Sequence, residues 1–218
     1  MSYLEWTPDS DTIVYYPFTS ETTINDMKES WTKYNLTNRN VVFWTYQWAD
    51  CAYINPSNYN VWMYYSWTQI IPRWDFTWFG RLYQIWTSSA NPRICSSYSW
   101  SPYWILINTS WTMVVWSSSN TNWFNVITWE RHLYAVVGNC STWSYKWYID
   151  WELVKEWSWS WFTIWAWLTI WWHDAQGWAS WTVDKFNWYM WRFWLENWQK
   201  SADYIKDFFN KTKRYYWK

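Results

Sequence analysis

The chain has 218 residues and a formal net charge of zero at pH 7. At this length we expect one domain, residues 1–218, with enough chain to bury a substantial core. The even charge balance provides neither a basic surface for nucleic acid nor a polybasic segment for an anionic membrane. The unusual feature is the presence of 32 tryptophans beside only 3 glycines, because average usage would give about 15 glycines.

The predicted elements are short strands, rich in Val, Ile, Tyr, Phe and Thr, with turn-forming residues between them. Short strands at close spacing indicate a β-sandwich or a barrel. In chain order the predicted strands are Thr12–Phe18, Asn40–Phe43, Cys51–Asn55, Asn60–Ser66, Phe76–Ile85, Pro92–Ser97, Tyr103–Asn108, Thr112–Val115, Arg131–Val137, Tyr145–Ile149, Glu152–Lys155, Phe162–Ile164, Leu168–Ile170 and Phe186–Leu195.

One segment changes from the two-residue period of a strand to helical spacing. Residues 201–216 place apolar side chains at the helical interval, beginning with Ile205 and Phe208. Ser201 is a suitable N-cap, and Asp203 lies in the first turn, where an acidic side chain is favourable. The pattern predicts a short C-terminal helix with one face packed on the sheets.

Tryptophan occupies positions at which a turn calls for glycine. Asp150-Trp151 separates two strand-like runs, where Asp-Gly would form a type I′ hairpin turn with positive φ at both residues. Three further pairs place Trp after Asn as glycine is placed in Asn-Gly turns. They are Asn122-Trp123, Asn187-Trp188 and Asn197-Trp198. A bulky aromatic residue at positive φ is an outlier, so the pattern indicates glycine chemistry at these positions.

We interpret most of these Trp residues as glycines in the natural protein. One route is a gene in which the codon UGA encodes glycine and has been read as Trp. Trp62 and Trp78 lie in strand-like surroundings, where a real Trp fits. The alternative is a chain that is truly rich in Trp. Glycine positions should lie in turns at positive φ, whereas real tryptophans should be buried together in a core.

With Trp read as Gly, residues 131–156 become RHLYAVVGNCSTGSYKGYIDGELVKE. This segment resembles the centre of a laminin-G-like domain of the concanavalin A-like superfamily. Similar motifs follow in the right order over essentially the whole chain, and the ordered set is fairly specific for the fold. The segments that carry the resemblance are Val14–Phe18, His132–Val137, Tyr148–Val154, Leu168–Trp172, Phe186–Met190 and Ser201–Ile205.

The resemblance implies an all-β fold, an antiparallel jelly-roll β-sandwich with a short C-terminal α-helix. It also implies a non-catalytic module for carbohydrate binding or adhesion, although a fold does not fix a function. The chain departs from the family at three places. Arg131 replaces the usual Trp before the histidines, Leu133 replaces the second His, and Trp191-Arg192 stands where Asp-Glu is frequent. A function that depends on those positions is not implied.

Glycan binding requires an exposed aromatic platform with polar side chains at its rim. Tyr is also a good strand residue, so packing is the alternative explanation for each single tyrosine. Tyr65 and Tyr98 are further possible platforms. The predicted ligand-binding residues are Asn58, Tyr59, Asn60, Tyr64, Tyr103, His173 and Asp174.

Calcium is the one candidate cofactor, because lectin-like members of the superfamily commonly bind it through several oxygen ligands. The candidate ligands are Asp50, Asp174 and Asn187, for which turn formation is the alternative role. The cysteine and histidine spacing does not form a zinc pattern. Cys95 and Cys140 can pair if their strands are neighbours, and the alternative is that all 3 cysteines are free thiols.

The sequence contains no recognisable catalytic pattern, and we expect the chain not to be an enzyme. A glycoside hydrolase needs two carboxylates across a cleft. Glu152 and Glu156 share a strand face after a hairpin turn and are interpreted as solvated charges. No serine has the surroundings of a nucleophile elbow. His132 lies inside an apolar strand and is interpreted as a core histidine.

The N-terminus shows no signal peptide, and the longest apolar stretch, Trp161–Trp172, is too short for a membrane helix. We expect no membrane insertion and no nucleic-acid partner. The expected partner is a glycan or host surface polysaccharide. The expected setting of the protein is a virion, a phage tail or a cell surface. Homo-oligomer or virion assembly is a further expected association. The alternative is a purely structural or oligomerisation β-sandwich without a glycan site.

Overall fold

A computed structural model describes residues 8–18, 23–24, 33–46, 49–54, 62–64, 75–87, 93–97, 104–107, 112–117, 120–125, 130–139, 141–142, 144–158, 168–170 and 186–213. These residues form short strands and one helix. In chain order the elements are β1 (Thr12–Tyr16), β2 (Thr23–Ile24), β3 (Leu36–Arg39), β4 (Val42–Tyr46), β5 (Ala49–Ile54), β6 (Trp62–Tyr64), β7 (Phe76–Thr87), β8 (Arg93–Ser97), β9 (Trp104–Ile107), β10 (Thr112–Ser117), β11 (Asn120–Asn125), β12 (Arg131–Asn139), β13 (Ser144–Ile149), β14 (Glu152–Ser158), β15 (Leu168–Ile170), β16 (Phe186–Asn197) and α1 (Ala202–Lys213).

The described strands form two 8-stranded sheets in which every pair is antiparallel. The first sheet has the order β14-β13-β12-β7-β16-β5-β4, with β1 also paired to β16. The second sheet has the order β11-β10-β9-β8-β15-β6-β3-β2. The predicted fold class, an antiparallel jelly-roll β-sandwich with a C-terminal helix, is confirmed.

The first sheet is buried on both of its faces at its central strand, β12. Residues 131–138 of β12 are all buried, where a half-exposed strand would alternate. The inner face belongs to the sandwich, in which Leu36 and Met63 of the second sheet are also fully buried. The outer face is the one that α1 covers. The core cluster under α1 consists of Tyr15, Phe79, Leu133, Ala135, Val137, Tyr148, Trp194, Ile205, Phe208 and Phe209.

Helix α1 begins where the sequence predicts. Ser201 Oγ accepts a hydrogen bond from Tyr204 N at 3.1 Å, and Ser201 O accepts one from Ile205 N at 3.1 Å, which is an N-cap arrangement. The described helix ends at Lys213, whereas the predicted end, Tyr216, lies outside the described residues. No helix among the residues that the structure describes is long and apolar enough to cross a membrane.

The hairpin between β13 and β14 has the predicted turn. Asp150 and Trp151 have φ values of 51° and 87°, as a type I′ turn requires. The Asp150 carboxylate accepts a hydrogen bond from Leu133 N at 2.8 Å and lies 2.5 Å from His132 Nδ1. The turn is thereby tied to β12, and His132 is a buried, hydrogen-bonded histidine.

Two of the other predicted turns are wrong. Asn122 and Trp123 lie inside β11, opposite residues of β10. Asn187 and Trp188 lie inside β16, where the register with β7 shifts between them. A bulge takes the place of the predicted turn at Asn187-Trp188, whereas the strand is regular at Asn122-Trp123. Local Asn-Trp pairs therefore do not distinguish a turn from a strand.

Six of the described tryptophans fall into two structural groups. Trp151 and Trp198 lie in turns at positive φ, with a φ of 69° at Trp198, so the turn predicted at Asn197-Trp198 is confirmed. Four others are fully buried in the first sheet. They are Trp78, Trp147, Trp191 and Trp194. The first group fits glycine, whereas the second group has the burial expected of real tryptophans.

Two of the buried tryptophans make close ring contacts in the first sheet. Trp194 stacks on Tyr15 with centroids 5.0 Å apart and meets Phe208 edge-on at 4.8 Å. Trp78 meets Phe193 edge-on at 5.9 Å, and its ring lies so close to Gly80 that any Cβ there would overlap it.

Three short strands were not predicted, namely β2, β3 and β11. Their residues are rich in Thr and Asn, which have no strong strand pattern, and only pairing with neighbouring strands makes them extended. The other described strands coincide with predicted ones to within a few residues at each end. The predicted strand Phe162–Ile164 lies outside the described residues.

The structure describes two of the cysteines, Cys51 and Cys95, and Cys51 is buried and free. Cys95 lies on β8 of the second sheet, whereas β12, the strand that precedes Cys140, belongs to the first sheet. β8 and β12 are therefore not hydrogen-bonded neighbours. Cys140 itself lies outside the described residues, so the pairing of Cys95 with Cys140 stays a prediction.

The buried carboxylate of Glu196 belongs to a polar network that links the segment before β1 to α1. Glu196, at the end of β16, is fully buried, and its Oε2 lies 3.4 Å from Lys200 Nζ. Lys200 Nζ also donates to Asp11 Oδ2 at 2.7 Å, and Tyr204 Oη donates to Glu196 Oε2 at 3.2 Å. Burial raises the pKa of Glu196 to about 7, although the Lys200 cation opposes the shift. Burial alone would lower the pKa of Lys200, but Asp11 and Glu196 raise it.

Replacing Trp198 by Gly should stabilise the fold. Trp198 is 59% exposed and has a φ of 69°, so Trp198→Gly relieves backbone strain of about 1 kcal/mol and loses little packing. Trp44 is equally exposed at 59% but lies in regular β4, so Trp44→Gly should cost roughly 0.5–1 kcal/mol. Urea unfolding measures both, and a destabilised Trp198→Gly variant would contradict the strain argument.

Glu196 should make the fold less stable as pH rises toward neutrality. Its pKa is about 7 in the folded chain and near its ordinary value of 4.5 after unfolding, so the folded state binds more protons between these values. The stabilisation is fully present below pH 4.5 and is lost as the pH approaches 7, a change on the order of 3 kcal/mol. Glu196→Gln should remove that change.

Urea unfolding at several pH values measures the effect. Glu152→Gln, at an exposed carboxylate on β14, is the matched control and should keep the pH dependence of the natural chain. An unchanged pH dependence in Glu196→Gln would show that Glu196 does not titrate in this range.

Candidate functional site

The predicted ligand-binding residues are mostly outside the described part of the chain. Tyr64 lies in β6, where its backbone is opposite Thr37 of β3 and Thr169 of β15. The residues outside the described ranges are Asn58, Tyr59, Asn60, Tyr103, His173 and Asp174. These assignments stay predictions.

Two of the calcium candidates, Asp50 and Asn187, lie in described strands, whereas Asp174 lies outside the described residues. Asp50 is exposed on β5 and accepts a hydrogen bond from Thr45 Oγ1 at 2.8 Å. Asn187 is a backbone position of β16, opposite Trp86 of β7. No three His, Cys, Asp or Glu side chains among the described residues could hold a metal ion together. The calcium site remains a prediction.

A cluster of four half-buried tyrosines lies on the outer face of the first sheet, on the part of the sheet beyond the core cluster under α1. We name it the outer tyrosine cluster; it consists of Tyr46, Tyr53, Tyr83 and Tyr189. Tyr189 stacks on Tyr46 with centroids 4.2 Å apart and rings 2° from parallel, and on Tyr53 at 4.8 Å. Tyr83 is tilted against Tyr46 at 5.5 Å. The rings therefore form one continuous aromatic surface.

Strand register produces this cluster. Tyr53 of β5 lies opposite Tyr189 of β16, Tyr189 lies opposite Tyr83 of β7, and Tyr83 lies opposite Arg131 of β12. Residues directly opposite each other in a sheet point to the same face, so these residues form a row across four strands. Tyr46 joins the row from the end of β4.

At the β12 end of the row, Arg131 is stacked on a tryptophan of β16. The register of β16 shifts between Met190 and Arg192, which places Trp191 at a bulge. Arg131 Cζ lies 4.2 Å above the centroid of the Trp191 ring, which is a cation–π contact. Both side chains are buried. The bulge thereby places a buried aromatic ring beside the cation, in contact with Tyr46 and Tyr189.

The phenols of Tyr83 and Tyr189 stay protonated well above neutral pH. Burial, together with a hydrogen bond to Tyr46 and the neighbouring phenols, raises the pKa of Tyr83 to about 12 although Arg131 opposes the shift. Burial also raises the pKa of Tyr189. A protonated phenol both donates and accepts hydrogen bonds. The surface therefore combines ring area with neutral hydroxyl groups.

Cys51 lies beside this surface but is not poised as a nucleophile. It is fully buried, and its thiol donates to Trp44 O at 3.1 Å. Burial raises the pKa of Cys51 to about 12, against the opposing effects of a backbone hydrogen bond at Tyr46 and of the Arg131 charge. The reactive form of cysteine is the thiolate, so this thiol is chemically inert at neutral pH.

Three of the described glutamates are not arranged as the carboxylate pair across a cleft that glycoside hydrolysis requires. Glu196 is fully buried and engaged by Lys200 and Tyr204. Glu152 and Glu156 are exposed, and Glu156 lies 3.3 Å from Lys146 on the neighbouring strand. None of these three belongs to the outer tyrosine cluster, whose members offer ring area and hydroxyl groups.

No family model matches the chain, and no curated protein matches it in sequence. Solved structures with a similar fold exist. The binding domain of Paraclostridial Mosquitocidal Protein 1 superposes with a TM-score of 0.72 and 10% identity, over 92% of this chain and 52% of that chain. Trypanosoma rangeli sialidase in complex with sialic acid gives a TM-score of 0.69 and 6% identity, over 94% of this chain and 33% of that chain.

A third similar structure is that of botulinum neurotoxin type C, whose cell entry depends on interaction with two ganglioside molecules. It gives a TM-score of 0.69 and 14% identity, over 92% of this chain and 51% of that chain. The chain thus spans between a third and about half of the length of these structures. At such low identities the similarity concerns the fold alone.

The outer tyrosine cluster was not among the predicted site residues. Its members lie on four strands that are far apart in sequence, and each alone has the appearance of an ordinary strand tyrosine. The available signal was weak: Tyr46, Tyr53, Tyr83 and Tyr189 all lie in or beside predicted strands. Only the pairing register shows that they share a face and a row.

Proposed function

We propose that the chain is a non-catalytic carbohydrate-binding or adhesion module and that the outer tyrosine cluster is its glycan platform. The observation that carries the proposal is the row of Tyr53, Tyr189 and Tyr83 across adjacent strands, continued by Tyr46. A sugar presents apolar C–H faces between its hydroxyl groups. Tyrosine matches both, because its ring provides apolar area and its phenol provides a donor and an acceptor.

The rigidity of the platform supports the proposal. The four tyrosines stand on hydrogen-bonded strands of a sheet whose core continues beneath α1. Their rings already contact one another at centroid distances of 4.2–6.1 Å. A ligand that binds such a surface orders few side chains, so little of its binding free energy is lost to conformational entropy.

The fold similarities support the same class of ligand. Among the similar structures are a sialidase that holds sialic acid and a neurotoxin whose cell entry depends on gangliosides. We therefore include sialylated glycans and gangliosides among the candidate ligands. The proposed setting is a virion, a phage tail or a cell surface, where the module meets a host polysaccharide. Asp50, Asp174 and Asn187 remain the proposed calcium ligands.

Glycan binding should depend on the ring of Tyr189, the centre of the cluster. The protein is tested against a panel of immobilised polysaccharides and gangliosides, with and without Ca²⁺, and the affinity for each bound glycan is then measured by calorimetry. Tyr189→Ala should weaken binding at least about tenfold, which corresponds to about 1.4 kcal/mol. Tyr189→Phe keeps the ring and should retain most of the affinity.

The matched control removes an exposed apolar side chain elsewhere on the same sheet. Leu153 on β14 is 51% exposed, and Leu153→Ala should bind as the natural chain does. Circular dichroism checks that each variant is folded. If no glycan of the panel binds, the glycan proposal fails and the alternative, a structural or oligomerisation β-sandwich, takes its place.

We propose further that the natural residue at turn positions such as 151 and 198 is glycine, and that the gene uses UGA for glycine. The positive φ of Trp151 and Trp198 supports this at those two positions. The close packing of Trp194 against Tyr15 and Phe208 supports a real Trp there. The proposal therefore differs from one position to another, and the outer tyrosine cluster contains none of the positions concerned.

The mass of the natively produced protein tests the glycine proposal. An intact mass below 27.5 kDa, with glycine sequenced at position 151 in the peptide that spans Tyr145–Glu156, is the expected result. A mass of 27.5 kDa with Trp at position 151 would overturn it. The same spectra identify the residue at 194, where Trp is expected.

A further inference from the structure

We propose that the chain forms a two-fold dimer in which the β4 strands of two copies pair antiparallel and join their first sheets into one continuous sheet. β4 is the end strand of the first sheet, and within the described residues it pairs only with β5. An unpaired edge presents a row of backbone N–H and C=O groups that another strand can bind.

The two ends of the first sheet are built differently. β14, at the other end, carries Glu152, Lys155 and Glu156, and a register shift lies between it and β13. Charged side chains and bulges are the features that protect an edge from pairing with another chain. β4 has the sequence VFWTY, without a charge, and its register with β5 is regular over all five residues. Of these two ends, the β4 edge is the one suited to pairing.

The side chains of β4 make one face of this edge apolar and exposed. Val42 is 43% exposed and Trp44 is 59% exposed, whereas apolar residues on the central strands are buried. Val42, Trp44 and Tyr46 alternate along the strand and therefore share the outer face. The apolar stripe is thus continuous with the outer tyrosine cluster, in which Tyr46 takes part.

The partner proposed for this strand is the same strand of a second copy of the chain. A two-fold axis through Trp44 would place Trp44 opposite Trp44 of the partner subunit, and Val42 opposite Tyr46 of the partner subunit. Aromatic and β-branched residues are favourable cross-strand pairs. The strand has no charge, so two copies do not repel, and a two-fold interface closes on itself without forming a fibre.

The dimer would present two outer tyrosine clusters on the same face of one sheet, because a two-fold axis perpendicular to a sheet preserves its faces. Two linked sites raise the avidity for a repeating polysaccharide without any new contact. This benefit depends on the proposed glycan function, whereas the dimer itself does not. The mass of the assembly is measured without a glycan, so the two proposals fail independently.

Analytical ultracentrifugation of the full chain tests the proposal. We expect a concentration-dependent dimer of the 27.5 kDa chain. Val42→Lys and Trp44→Lys should each raise the dimer dissociation constant at least about tenfold, because a charge is placed in the pairing stripe. Leu153→Lys, at the other end of the sheet, is the matched control and should dimerise as the natural chain does. Circular dichroism and thermal unfolding check that each variant folds.

Charge reversal tests the register. Residue 44 faces its own copy in the proposed dimer, so Trp44→Lys alone and Trp44→Glu alone should both be monomeric, while an equimolar mixture should form a heterodimer. A natural chain that stays monomeric, or that assembles beyond a dimer, would overturn the proposal and leave the edge to a different partner. Dimers that persist in both Lys variants, or a mixture that does not associate, would also overturn it.

Discussion

The first sheet depends on β16, because this strand pairs with three other strands. β7 pairs with it along its length, while β5 and β1 share its other edge, β5 at residues 188–190 and β1 at residues 193–196. The bulge between Met190 and Arg192 lies where the neighbour changes. One half of the strand thus faces the tyrosines, and the other half carries Trp194 under α1. A single strand positions both the core and the candidate site.

The polar groups at the end of β16 also connect distant parts of the chain. Burying Glu196 is unfavourable unless the carboxylate is protonated or paired, and here Lys200 and Tyr204 contact it while Asp11 pairs with Lys200. These residues come from the segment before β1, from the connection after β16 and from α1. The network therefore fixes the helix on the sheet through charge, while the aromatic packing of Phe208 on Phe79 and Trp194 fixes it through buried area.

The features that the sequence predicted are those that local chemistry determines. The Asp150-Trp151 turn and the helix start at Ser201 depend on residues within a few positions of each other, and both are confirmed. The wrong turn at Asn122-Trp123 shows the limit, because pairing with β10 overrides the local signal. The outer tyrosine cluster could not be predicted for the same reason, since register between distant strands is a property of the whole sheet. The residues predicted for the glycan and calcium sites stay predictions.

The row of tyrosines has a consequence for the folding of the newly synthesised chain. Tyr46 and Tyr189 are separated by more than half of the chain, and contacts this distant in sequence form late in folding, after the loops between them have closed. A nascent or truncated chain that lacks β16 cannot hold the row at all. The surface is therefore assembled only when the last strand enters the sheet, so an incompletely synthesised molecule would not compete with finished ones for a ligand.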